Sequence, residues 1–199
     1  MNMNHIEKWL KSAWEFFRAN TLNLVAMYAV YLLIAVVTQK LPLLPLIVMP
    51  GLFGSVVIIT LRKMRGTEID LKNMTLGYDY FLPLVFSSVL VGVMVLAGFI
   101  FLIIPGLFIA ALYVFTVPLI VDQEMDFWPA MEASRKKVME SPIEYLVFST
   151  MLIALIFLGA LLFGVGLLVT MPIAVSALIF AYVEVFKSDE ASPHTTLSQ

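Results

Sequence analysis

Apolar residues fall into four long blocks joined by short charged segments, and a stretch with a different rhythm precedes them. Between Ile6 and Arg18, Ile6, Trp9, Leu10, Ala13 and Phe17 recur at helical spacing, while Glu7, Lys8, Lys11, Ser12, Glu15 and Arg18 fill the opposite face. Glu7 and Lys11 stand in the favoured order for an ion pair one turn apart. Trp9 and Trp14 suit headgroup depth, where a ring sits half wet. Residues 1–20 are therefore expected to form an amphipathic helix lying in a membrane interface. The alternative is a helix packed on a partner domain.

The blocks that follow are continuous rather than alternating. They run from Leu22 to Thr38, Leu44 to Leu61, Phe81 to Val121 and Tyr145 to Val183, and Phe81 to Val121 contains no charged residue. A membrane-crossing helix needs about 20 residues, so the last two blocks each hold two helices and a hairpin. Ile104-Pro105-Gly106 is the expected hinge of one, because proline is tolerated in a first helical turn; Gly164-Val165-Gly166 breaks the other. Lipid leaves unpaired backbone groups unsatisfied, which restricts spans to helices or closed barrels, and the lack of alternation excludes a barrel. The predicted fold is all-α, with a domain over 21–187 of six transmembrane helices at about 22–38, 44–61, 81–102, 104–121, 145–163 and 167–186. A second amphipathic helix is expected over 126–140, and the polar tail 188–199 is expected to be disordered.

Composition strengthens the membrane reading and removes several chemistries. Of 199 residues, 61% are hydrophobic and 13% charged, too few charges to cover a water-soluble surface. A net charge of −2 gives no sign of nucleic-acid binding. The absence of cysteine excludes disulfides and thiolate sites, and the two histidines, His5 and His194, lie near the ends. The N-terminal segment is mixed and charged, unlike a signal peptide. Eleven of the twelve Lys and Arg residues fall on one side of the predicted spans, Lys40 being the exception. That side is expected to be the cytoplasm, with both termini inside.

Val48–Leu61, Ile103–Val117 and Thr170–Val183 each place a proline early in a returning helix. The outgoing spans follow segments with aromatics: Trp14, Phe16 and Phe17; Tyr78, Tyr80 and Phe81; Phe127 and Trp128. This suggests three parallel hairpins. Gly77-Tyr78 and Phe81, Ile104-Pro105-Gly106, Pro118-Leu119-Ile120-Val121-Asp122, and Trp128-Pro129-Ala130 through Ser134 together resemble a broad group of bacterial inner-membrane proteins. The group includes the YciC-like proteins and the membrane domain attached to some glycerophosphodiester phosphodiesterases. The resemblance implies a six-helix protein of the bacterial inner membrane and implies little about activity, since those enzymes carry their catalytic residues outside the membrane domain.

Candidate chemistry is sparse. The span interiors hold no charge, which argues against a proton-coupled pump or a midplane site for a charged substrate. Asp122, Glu124 and Asp126, with Asp79 and Glu184, offer oxygen ligands for a magnesium or calcium ion or a headgroup. The simpler reading makes Asp126 a helix cap. Arg135, Lys136 and Lys137 attract anionic lipid headgroups or only enforce orientation. Pro50, Pro105, Gly106, Pro118 and Pro172 are the expected structural hinges. Pro118 frees the carbonyl of Val114, with Thr116 placed to help satisfy the local backbone. Ser88/Gly92, Ala160/Gly164 and Ala177/Ala181 are small-residue pairs suited to close helix contact, within the bundle or between copies. No G-x-S-x-G, H-E-x-x-H or P-loop pattern occurs. The expected role is structural, assembly or regulatory, without cofactor or catalysis. The expected partners are anionic membrane lipids and a membrane protein or a second copy of the chain. The alternative is a carrier or flippase-like protein for an apolar or lipid substrate.

Overall fold

The computed structural model describes residues 3–41, 43–69, 71–162 and 164–190, with the backbone alone for Met3, Asn4, Leu71 and residues 187–190. The described residues are all-helical. In chain order the helices are α1 (Met3–Ala19), α2 (Thr21–Thr38), α3 (Leu44–Met64), a 3-10 segment (Leu71–Tyr80), α4 (Phe81–Phe101), α5 (Ile103–Leu112), α6 (Thr116–Gln123), α7 (Phe127–Glu140), α8 (Pro142–Leu161) and α9 (Leu167–Glu190). Six stretches among these, with α5 and α6 counted as one, are long and apolar enough to cross a membrane.

Helices α3 and α9 form the centre. α3 packs on α2, the 3-10 segment, α4, α6 and α9; α9 packs on α1, α2, α3 and α8. The burial follows: Pro50–Leu61 is buried apart from the half-buried Phe53, and so is α9 from Pro172 to Ile179. α4 lies at the periphery and buries only Leu84, Ser87 and Gly98.

Two of the connections between successive spans bring glycines together where their helices meet. A single extended residue, Leu102, connects α4 to α5. So short a connection forces the helices together, and a Cβ on Gly98 would lie 2.8 Å from the Cα of Gly106. Pro105 is the third residue of α5, where its missing N–H breaks no helical bond. Between α8 and α9, Gly164 takes φ +78, a conformation L side chains rarely adopt, and Gly159 meets Gly166 and Thr170.

Several sequence expectations change. Pro50 and Pro172 lie within continuous helices, not at breaks. The charged segment that joins the second apolar block to the third holds the ordered 3-10 segment. α8 begins at Pro142 rather than Tyr145, and α9 continues to Glu190, so residues 188–190 of the expected tail are helical; residues 191–199 lie outside the described residues. Of the three small-residue pairs, only Ala177/Ala181 is in the core; Gly92 and Ala160 are exposed, and Gly164 sits in a turn.

The first amphipathic helix shows why its pattern admitted two readings. Its stripe of Ile6, Trp9, Ala13 and Phe17 is at most 5% exposed, covered by protein rather than left open. Trp9 meets Phe148 of α8 edge-on at 5.1 Å, and Phe16 meets Phe180 of α9 at 6.0 Å. The spacing establishes an apolar face, but not what covers it.

Candidate functional site

The polar chemistry of this chain gathers where span four ends and α7 begins. Span four is interrupted at residues 113–115, three residues before Pro118 at the nearest. Proline cannot donate to the carbonyl four residues earlier, and its ring crowds that turn, so the helix restarts at Thr116 with Pro118 in its first turn. The interruption leaves the backbone carbonyl of Leu112 and the N–H of Phe115 without helical partners, and Phe115 is 0% exposed.

Ser134 of α7 fills the gap. Its hydroxyl donates to the carbonyl of Leu112 at 2.8 Å and accepts from the N–H of Phe115 at 3.2 Å, bridging the two sides of the break. Ser134 is itself fully buried. Thr116, the nearer hydroxyl and the one expected to help here, does not do so: its hydroxyl is buried without a partner. The signal for Ser134 was its register: it lies three residues after Met131 and four before Val138, a polar group on the apolar stripe.

α7 is set up for this contact by its own sequence. Asp126 caps it, accepting from the N–H of Phe127 at 2.7 Å. Ala130, Met131, Ser134 and Val138 face inward against the ends of the spans, and the Phe127 ring meets Phe86 at 5.5 Å. The outer face leaves Trp128 61% exposed.

The basic cluster is paired, Arg135 and Lys136 on that outer face and Lys137 turned toward the end of α8 and α9. Glu132 accepts from Arg135 at 2.8 and 2.9 Å and lies 3.5 Å from Lys136, and Lys137 pairs with Glu140 at 2.9 Å. The hydrogen bond from Arg135 holds the Glu132 carboxyl below its usual range. With two carboxylates among three cations, α7 carries a formal charge of only +1.

A similar splint joins the 3-10 segment to α3. The N–H of Gly77 donates to the Ser55 hydroxyl at 2.8 Å, which donates to the carbonyl of Gly51 at 2.9 Å. A side chain on Gly77 would collide with the Gly51 carbonyl and the Ser55 backbone. Tyr78 lies over Gly51 and donates to the carbonyl of Val48 at 3.0 Å.

The acidic residues divide between two clefts. Asp79, Asp122 and Glu124 line one of about 210 Å³ together with Arg62, Arg65 and Tyr80. Within it Asp122 is paired with Arg65 and accepts from the Tyr182 hydroxyl at 3.0 Å, while Tyr80 donates to Glu124 at 3.1 Å. Glu124 has a left-handed backbone, φ 53, which costs a non-glycine residue about 1 kcal/mol or more. Glu184 is elsewhere, in a second cleft of about 280 Å³, where it binds His5 at 2.9 Å and Lys8 at 2.7 Å and so ties α1 to α9. Asp79, Asp122 and Glu184 therefore do not converge, and no group of three or more His, Asp or Glu is arranged for a metal among the described residues. No family model, curated protein or solved structure matches this chain.

Proposed function

We propose that this chain is a non-catalytic protein of the bacterial inner membrane with a structural, assembly or regulatory role, exercised through the outer face of α7. In this reading the six spans form three parallel hairpins, both termini are cytoplasmic, and α1 and α7 lie at the cytoplasmic interface. Trp128, Arg135 and Lys136 meet anionic headgroups or a membrane-protein partner, which includes a second copy of the chain. The kinship with YciC-like proteins belongs to the same proposal.

Ser134 carries this reading. A helix whose outer face is exposed has its inner face wedged into the broken backbone of a span, so a contact on α7 has a short mechanical route into the bundle. The charged groups in the two clefts are largely engaged with one another, which suits a structural role better than acid–base chemistry. A carrier or flippase-like role is the second reading, favoured by an open apolar groove between α1 and α8.

Two experiments test the proposal. Reporter fusions after Lys63, Lys137 and Lys187 are expected to report the cytoplasm, and one near Lys40 the outside; a periplasmic signal at Lys137 overturns the topology. Mild-detergent pulldown from native membranes is expected to recover a protein or lipid that Trp128→Ala loses. An identical set with and without Trp128 overturns the role of α7.

A further inference from the structure

α1 carries more apolar surface than α9 covers. Beyond its buried stripe, Leu10 and Trp14 continue the apolar arc toward α8, where with Ile6 they overhang Val147 and Met151. Together they line a groove of about 540 Å³. Trp14 is 47% and Met151 46% exposed, so the groove lies open along one side.

Glu7 and Lys11 stand at its rim. They are one turn apart in the order that ordinarily pairs. Yet neither is within ion-pair distance of the other or of any other described residue. Lys8, between them in sequence, is held by Glu184. One free anion and one free cation thus flank an apolar groove, on a chain with six helices apolar enough to cross a membrane.

We propose that this groove is a binding site for a zwitterionic phospholipid with an ethanolamine headgroup. One acyl chain lies along Leu10, Trp14, Val147 and Met151. The Lys11 ammonium meets the phosphate, and the Glu7 carboxylate accepts hydrogen bonds from the headgroup ammonium. A choline headgroup has the same charges but no N–H to donate, so it forfeits the charge-assisted bond to Glu7. An anionic headgroup gains Lys11 but sets no cation against Glu7. Free phosphate leaves the apolar groove unfilled. Trp14 is the type of side chain expected at headgroup depth. The site depends on the membrane embedding of the spans and not on the role proposed for α7.

Native mass spectrometry of the full-length protein tests it, with ethanolamine, choline and glycerol phospholipids of identical acyl chains. Wild type is expected to retain the ethanolamine lipid best. Glu7→Gln is expected to erase its advantage over the choline lipid, an effect of about tenfold for one charge-assisted hydrogen bond. Lys11→Gln is expected to weaken all three lipids. Both side chains are exposed and unpaired, so unchanged melting temperatures should accompany these losses. Equal retention of the three lipids by wild type overturns the proposal. An ethanolamine preference that survives in both variants places the lipid elsewhere and also overturns it.

Discussion

The halves of the spans next to the hairpin turns and the halves next to the charged connections are built differently. Near the turns, apolar side chains point outward: Leu33, Val36 and Leu43; Leu96, Ile100 and Ile104; Phe157, Leu161 and Val165 are each 61–76% exposed. Contacts there are largely within a hairpin and rely on Gly98 against Gly106 and on Gly159 against Gly166. Near the charged connections, Leu24, Val56, Leu84, Phe115, Phe148 and Ile179 are fully buried, and serines bond across elements. Lipid removes the hydrophobic drive between helices, leaving close packing and hydrogen bonds to hold them. The chain places both at one end, where the 3-10 segment and α7 supply backbone and hydroxyl partners, and leaves apolar side chains exposed at the other.

Five variants test this contrast. The largest effect is expected from Gly77→Ala, whose Cβ has no space beside the Gly51 carbonyl and Ser55; a loss of about 3 kcal/mol is expected. Gly92→Ala, in open space on α4, is the control and should be neutral or stabilise by up to about 1 kcal/mol. Tryptophan-detected melting in detergent compares them, and similar Tm values would show that the 3-10 contact does not hold the bundle.

Ser134→Ala removes both bonds across the break in span four. A cost of about 1–3 kcal/mol follows from leaving buried backbone groups unpaired. Hydrogen exchange should rise at residues 112–118 more than at Gly98–Gly106; unaltered exchange would mean that the break is supported without α7.

Converting Arg135 and Lys136 together to Gln should weaken anionic-lipid association by about 1 kcal/mol at low salt, and by less as salt screens the charges. The effect is small because Glu132 already engages both cations. Lipid retention unchanged at low salt would leave the cluster with orientation as its sole role.

The smallest effect belongs to the turn-side half. Pro105→Ala should cost less than about 0.5 kcal/mol, because no interior hydrogen bond is missing at the third residue of α5. A Tm drop matching that of Ser134→Ala would erase the difference between the two halves.

The six spans were legible because their signal is local. Length, continuity and absence of charge are properties of consecutive residues, and the bilayer penalty on an open backbone converts them directly into helices. The cap at Asp126, the first-turn position of Pro105 and the break near Pro118 were legible for the same reason, since each follows from a residue's own backbone chemistry. The partners across space were not. Thr116 was the near neighbour of the break, but Ser134, 19 residues after Phe115, fills it. Asp79, Asp122 and Glu184 had the same charge and similar positions at helix ends, yet Glu184 faces α1 while the others face Arg62 and Arg65.

By itself, then, the sequence determined the six long apolar helices, where they turn back and which residues are too apolar or too charged to exchange environments, but not the 3-10 segment between them. The tertiary structure alone decided which hydroxyl meets which broken peptide, which carboxylate meets which cation, and that Glu7 and Lys11 meet neither each other nor another described residue. The reason is geometric: a helical period specifies a face, whereas a hydrogen bond needs two atoms about 3 Å apart, and that distance exists only once the helices are packed.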